Sequence, residues 1–320
     1  MKHLFVVNPI AGGRNAEPEI RVRVEAAFRR RPGSYEIYVT RGPRDATEKI
    51  RREADTGEEL RVYACGGDGT FNECICGAAE RANVSVCPYP TGTGNDFCRM
   101  FGEQAARFQD LDALLEGSIR PIDLIACNES YSVNICSVGI DARIGTDAHT
   151  FSSLPLVGGT GAYIISTIVN ACRGIATDMR IQCCGKTYEG KFSLVCVCNG
   201  RFYGGGFNPS LHARVDDGVL DIFIAKKVSL FNFARLIGKY AKGQADELPE
   251  HVVHLQGSEI QIDFDTENVI NLDGEALYSD NVRMRVLPGT LNLLVPKGIA
   301  AGAPGSPLSE KPFSDRIESA

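Results

Sequence analysis

The sequence has no apolar run long enough to span a membrane, no C-x-x-C pair, no internal repeat and no excess of positive charge. Each absence removes a class of function. A spanning helix needs roughly 18 consecutive apolar residues. The nearest run, 162–171, is about half that length, and the apolar run after Met1-Lys2-His3 is too short for a secretory signal. The expectation is a soluble, cytoplasmic protein that is at most peripheral, at the inner face of the membrane. A net charge of −6 gives no reason to expect nucleic acid and argues against a globally basic membrane-binding surface. Twelve cysteines are many, yet the close pairs Cys74/Cys76, Cys183/Cys184 and Cys196/Cys198 lack zinc-ligand spacing. Most lie within apolar runs, as reduced core thiols of a cytosolic protein would.

What is present begins with 320 residues, enough for two domains, and an ordinary soluble composition of 43% hydrophobic and 23% charged residues. The most informative stretch is 60–79. An apolar strand, 60–65, runs into Gly66-Gly67-Asp68-Gly69-Thr70, and a helix opens at Phe71-Asn72. Strand, glycine turn, helix is an order that aims backbone N–H groups and the positive end of a helix dipole at one point, where phosphate is accepted. Gly66, Gly67 and Gly69 carry no β-carbon to hold an anion away. A carboxylate beside phosphates is repelled unless a cation lies between, so Asp68 suggests a nucleotide bound with Mg²⁺. A tight turn that merely needs glycines is the bland alternative.

The rest of the first part repeats the logic. Strands at 4–7, 35–39, 60–65 and 84–88 alternate with helices at 17–30, 45–55 and from 71 onward, which implies a parallel sheet with right-handed crossovers. Their carboxyl ends carry Asn8-Pro9-Ile10-Ala11-Gly12, Thr40, the Gly66 loop and Thr91-Gly92-Thr93-Gly94-Asn95-Asp96. Polar, glycine-rich ends converging on one crevice are harder to explain as turn chemistry than any single loop. The texture changes near Arg120. Beyond it strands follow one another, among them 131–138, 259–264, 268–272, 282–287 and 290–295, with helical patterns only at 161–173 and 230–242, and read as an antiparallel β-sandwich. The expected division is a nucleotide-binding α/β domain over 1–122, to which 289–299 returns, a β-sandwich over 123–288, and a disordered Gly-Pro-Ser tail over 300–320.

Gly66-Gly67-Asp68-Gly69-Thr70, Pro90-Thr91-Gly92-Thr93-Gly94-Asn95-Asp96-Phe97 and Leu272-Asp273-Gly274-Glu275, in this order, resemble the bacterial lipid kinases of the diacylglycerol kinase catalytic-domain family. The likeness covers almost everything from Lys2 to Lys297. The glycine loop alone is shared with phosphofructokinases and NAD kinases; the G-T-G-N-D-F turn and the late D-G-E are not. The resemblance implies transfer of the γ-phosphate of ATP to a lipid hydroxyl with Mg²⁺, an α/β domain, a β-sandwich and an active site in the cleft between them. By motif match Asn8, Pro9, Ala11, Gly12, Thr40, Gly66 to Thr70, Asn72, Thr93 and Asn95 would contact nucleotide. Asp273 and Glu275 would hold the catalytic base, with Asp68 beside them in catalysis. Asp123 would join the metal and carboxylate network. Asp217, with the main-chain carbonyls of Leu220 and Ile222, would bind a structural Mg²⁺. Ala11 stands where many members carry serine, so one hydroxyl contact to phosphate is missing. The resemblance also implies peripheral membrane contact and leaves room for a homodimer.

The chemistry stands beside the name. An alcohol is a poor nucleophile, so a carboxylate that accepts its proton is useful. On a strand, Asp273 and Glu275 would face the same side, although an Asp-Gly hairpin turn explains the segment equally well. Asp216-Asp217-Gly218 is by itself more readily a turn than a metal loop. His251 and His254 alternate as on a strand rather than pairing as ligands, and the arginine runs at 29–31 and 51–52 read as solvated helix faces. Segment 151–173 combines glycines with Ile164, Ile165, Ile168 and Val169, which would pack on the sandwich or cap a lipid entrance. The readings that compete with a lipid kinase are an NAD kinase-like enzyme of a soluble substrate and a catalytically silent nucleotide-binding regulator.

Overall fold

Three of the first four strands form because their side chains are largely apolar on both faces, as a sheet covered by helices requires. In the computed structural model, which describes residues 1–140, 142–144, 175–302 and 305–312, β1 (Lys2–Val7) lies between β2 (Ser34–Val39) and β3 (Leu60–Gly66), and β4 (Val84–Pro90) follows β3. All three pairings are parallel: Leu4 opposes Glu36 and Val62, and Val62 opposes Val86. The crossovers are α1 (Glu17–Arg30), α2 (Asp45–Ala54) and α3 (Asp68–Ala78), with the short α4 (Asp96–Arg99) and α5 (Leu111–Leu115) after β4. α1 buries Ile20, Val24, Ala27 and Phe28, one stripe at helical spacing, with Glu17 and Glu19 in its first turn and Arg29 and Arg30 in its last. Phe5 stacks on Tyr63 at 4.3 Å between ring centroids beneath it.

The chain divides into two compact units: 1–124 with 214–218 and 287–320, and 125–213 with 219–286. β5 (Ser118–Cys127) leads out of the first unit, and β13 (Glu275–Val295) leads back, its Asn292 and Leu293 pairing in parallel with Ser85 and Val86 of β4. Segment 214–218 had no counterpart in the expected division.

The described part of the tail, 305–312, differs from expectation. Leu308 is wholly buried, the Ser309 N–H and hydroxyl both donate to the Asp216 carboxylate, and the Arg120 guanidinium donates to the Ser309 carbonyl at 2.8 Å. Residues 305–312 are therefore a strap over 214–218. Its Gly, Pro and Ser suggested disorder because composition does not show that Leu308 is buried or that a buried aspartate awaits Ser309.

In the second unit β6 (Ser130–Ser132), β7 (Ile135–Gly139), β8 (Thr177–Cys183), β9 (Lys186–Cys198), β10 (Leu220–Lys226), β11 (Val252–Gly257) and β12 (Glu259–Leu272) pair antiparallel, with β13 beside β12. β9 and β12 are long enough to serve two layers. Their 186–192 and 260–264 portions pair with β8, and their 194–198 and 270–272 portions pair with β7. Between the layers lies a core that includes Ile181, Val197, Ile222, Ile262 and Met284. The helix α6 (Leu230–Tyr240) starts at Ser229, whose hydroxyl caps Asn232 N. The expected helix at 161–173, and with it the whole of 151–173, lies outside the described residues.

Candidate functional site

The parallel order of β1 to β4 brings four carboxyl ends to one edge of the first unit. Asn8 follows β1: its N–H donates to Cys65 O at 3.0 Å and its amide to Thr70 Oγ1 at 3.1 Å. Thr40 follows β2 and donates from N to Val7 O. Thr91 N and Gly92 N, after β4, both donate to Gly66 O. Pro9 and Ala11 are partly exposed beside Gly12, which has φ +68.

The glycines are needed mainly because these loops touch one another. A β-carbon on Gly92 would lie 2.5 Å from Gly67 Cα; one on Gly66 would strike the Thr70 side chain, one on Gly94 the Asp68 carboxylate, and one on Gly12 the Thr91 carbonyl. Gly67, by contrast, has ordinary clearance, 3.5 Å. Room for an anion follows from this close approach rather than replacing it.

Asp68 opens α3 with Gly67 as an N-cap that supplies no side chain. Its Oδ1 accepts the Asp96 N–H at 2.7 Å, which ties the Gly66 loop to the start of α4. Burial pushes its carboxyl above the ordinary range, opposed by N–H groups of Asp96, Asn95 and Phe97. Asn95 takes a left-handed φ of 54° and donates to Gly92 O at 2.8 Å, whereas Thr93 is exposed. Asn72 is buried in α3 with its Oδ1 facing Cys76 Sγ, so it serves the helix interior. The Thr91 hydroxyl is buried without a hydrogen-bond partner among the described residues.

These features suit a nucleotide phosphate chain: an uncapped amino end of an 11-residue helix, loops without β-carbons, and an unsatisfied hydroxyl. Among the described residues no three His, Cys, Asp or Glu side chains gather for a metal. Mg²⁺ commonly takes only one or two carboxylates and completes its shell with water and substrate phosphates, so Asp68 is compatible with it. Sequence reasoning assigned no role to the Thr91 hydroxyl or the Asp96 N–H, although both stand in the glycine-rich turn it singled out.

In the second unit Asp273 and Gly274 form the two-residue loop between β12 and β13, closed by the Leu272–Glu275 pair. Their φ angles, +51° and +100°, put both residues in the left-handed half of the map, as a hairpin loop of this length favours. The Asp273 carboxylate accepts N–H groups of Val133 at 2.8 Å, Asn134 at 3.1 Å and Ile135 at 2.8 Å. Burial raises its pKa against these bonds. The expected continuous strand over 131–138 breaks into β6 and β7 here, because those amides leave the ladder for the carboxylate. The expectation that Asp273 and Glu275 share a strand face is corrected: Asp273 lies in a turn and faces the 133–135 amides, whereas Glu275 is an exposed strand residue.

Asp123 is fully buried, accepting Gly218 N at 2.7 Å and Gly289 N at 2.8 Å. Burial, with the charges of Asp217 and Asp216, pushes its carboxyl up to about 6 against those two bonds. Asp217 sits in the strapped segment of the first unit. Leu220 and Ile222 are buried in β10, and Ile222 pairs with both Val197 and Leu255, inside a three-strand ladder.

Residues 2–127 match the diacylglycerol kinase catalytic domain, and residues 134–295 match the YegS C-terminal NAD kinase β-sandwich-like domain. The chain belongs to the diacylglycerol kinase family of lipid kinases. A Pseudomonas aeruginosa protein named "Probable lipid kinase YegS-like" is 31% identical over 305 residues, 94% of this chain and 95% of that one. The Bacillus subtilis protein named diacylglycerol kinase is 27% identical over 86% of this chain and 90% of its own. A crystal structure from Bacillus anthracis str. Sterne, described as a candidate diacylglycerol kinase, superposes with a TM-score of 0.73 at 26% identity over 93% of this chain and 98% of its own.

Proposed function

We propose that this protein transfers the γ-phosphate of ATP, with Mg²⁺, to the hydroxyl of diacylglycerol or a related lipid alcohol presented at a membrane surface. The observation that carries the reading is the meeting of the Gly66 and Thr91 loops at the amino end of α3, in a chain of this family. The amides at the start of α3 and the Asn8 loop hold the phosphate chain. Asp68 and Asn95 keep the two glycine loops in register. Mg²⁺, held on the Asp68 side, would supply neutralisation of charge on the phosphates.

Glu275 is the better candidate for the base. It is exposed and its side chain makes no hydrogen bond or ion pair with any described residue, whereas the Asp273 oxygens are committed to amides. Asp273 then acts as a positioning residue that fixes the turn from which Glu275 projects. A metal held by Asp217 belongs to the same reading. It predicts a higher melting temperature in millimolar Mg²⁺ than in chelator, with a smaller shift for Asp217→Ala; equal shifts would make Asp217 a turn residue.

The deciding experiment supplies labelled ATP, Mg²⁺ and a panel of lipid alcohols in mixed micelles. Label in an organic-extractable product is expected. Label in a water-soluble product would overturn the lipid substrate, and ATP binding without turnover would overturn the reaction. No described helix is long and apolar enough to cross a membrane, so the lipid is expected to be reached from the surface of the bilayer.

A further inference from the structure

The second unit contains another two-residue hairpin loop, Cys184-Gly185, closed by the Cys183–Lys186 pair between β8 and β9. As at Asp273-Gly274, both φ values are positive, +52° and +71°. Such a loop favours Asn, Asp or Gly at its first position, because their side chains tolerate the left-handed conformation. Asp273 obeys that preference and Cys184 does not. A residue held where its type is disfavoured invites a functional account.

The sulfurs supply one. Cys183 Sγ and Cys184 Sγ lie 3.3 Å apart, with Cys183 buried at the rim of the core and Cys184 exposed. Space for them is kept by Gly257, at the end of β11. A β-carbon there would come within 2.8 Å of Cys184 Sγ and 4.0 Å of Cys183 Sγ. Gly257 has no positive φ that would demand glycine for the backbone, so the room it leaves is room for sulfur. Nor is this a general property of the close cysteine pairs. Cys196 and Cys198 are 3.6 Å apart but both fully buried, out of reach of a solute.

We propose that Cys183 and Cys184 form a chelating dithiol site for a soft trivalent metalloid of the arsenite or organoarsenical class, a function separate from phosphoryl transfer. A pyramidal trivalent centre holds two sulfurs near contact distance, as they stand here. A linear two-coordinate ion would require them on opposite sides of the metal. Cys184, the exposed thiol, meets the electrophile first, and Cys183 closes the ring. With an organoarsenic dihydroxide, two As–O bonds and two S–H bonds break, two As–S bonds form, and two water molecules leave. Arsenic stays trivalent and no oxidant takes part. Burial and the neighbouring thiol push Cys183 up to about 12, which agrees with its acting second, once arsenic is already tethered beside it.

The test uses the full chain and phenylarsine oxide, hydrated to the dihydroxide in water. Intact-mass measurement is expected to show one phenylarsenic per chain, and peptide mapping should place it on Cys183 and Cys184 together. Ethanedithiol should remove it, and excess monothiol should not. Cys184→Asn, which gives the turn its favoured residue, should fold and melt no lower than wild type while binding on the order of 10²-fold more weakly, the advantage a tethered second donor brings. Gly257→Ala should weaken capture with both cysteines retained. Capture undiminished in Cys184→Asn would overturn the site. So would an adduct on Cys184 alone that leaves Cys183 open to alkylation after unfolding, or one mapped to other cysteines.

Discussion

Asp68 in the first unit and Asp273 in the second are both motif aspartates followed by glycine, and the two are used differently. Asp68 accepts the Asp96 N–H through Oδ1, with the Asn95 and Phe97 N–H groups also directed at its carboxylate, and stitches one loop to the next. Asp273 engages both oxygens with three consecutive amides and fixes the break between two strands. Similar letters, D-G in each motif, therefore encode a tether in one unit and a strand terminator in the other. A conserved-looking acid is not by position a chemical one; its lone pairs have first to be counted.

The contrast can be broken by substitution. Asp273→Ala should have the largest effect on stability. It leaves the Val133, Asn134 and Ile135 amides without their acceptor, at roughly 1–3 kcal/mol for each that water cannot reach, or about 3–5 kcal/mol together. Chemical denaturation would show it, and a loss below 1 kcal/mol would mean that the amides find water.

Asp123 extends the comparison to a carboxylate that accepts two amides in the first unit. Its folded pKa, about 6, lies above the unfolded value of 3.8. The folded state therefore holds the proton more tightly. The stability this group contributes is fully present below about pH 4 and is lost as pH rises through about 6, by up to about 3 kcal/mol. Asp123→Asn, which mimics the protonated form, should lack that slope. Parallel pH dependences for wild type and variant between pH 4 and 6.5 would count against it.

Asp68→Ala should cost less, about 1–2 kcal/mol, because it unties loops at a sheet edge rather than a strand break. Turnover should nevertheless fall to background as the glycine loops lose register. Activity within a factor of two of wild type would remove Asp68 from the site. Smallest in stability is Glu275→Gln. The melt should not move, while turnover drops by roughly 10² or more if the carboxylate accepts the proton. A pH–rate profile unchanged in shape and height would return the role of base to Asp273.

Much of the first unit was legible because a buried parallel strand must be apolar on both faces and a surface helix must carry one stripe. The limits expected for α1 hold to the residue, and those of α2 to within one. The glycine loops were visible as motifs, but the sequence does not reveal that Gly92 exists for Gly67, or Gly94 for the Asp68 carboxylate. Those are contacts between residues more than twenty positions apart. The second unit was read as shorter pieces than it has. Segments 259–264 and 268–272 join as β12 across a register shift between Asp263 and Asn268, and the segments at 282–287 and 290–295 join in β13. Local polarity suggested ends there, and pairing overrode it. Conversely the 131–138 strand was broken by a side chain 140 positions away. The described part of the tail, 305–312, departs from expectation for the same reason: nothing near Leu308 and Ser309 announces Asp216.

The first unit is assembled from three separated stretches of chain, the last of them carrying the end of β13 and the strap. A ribosome releases β1 to β4 long before their parallel neighbour exists. At 5–20 residues per second, about 10–40 seconds pass between residue 124 and the strap. Through that interval β4 is an unpaired edge, the kind of surface on which a second nascent chain could form a strand. The second unit is complete once Val286 has emerged. Synthesis thus finishes the later domain first, and a cell that slowed elongation over the final segment would lengthen the exposure of the earlier one.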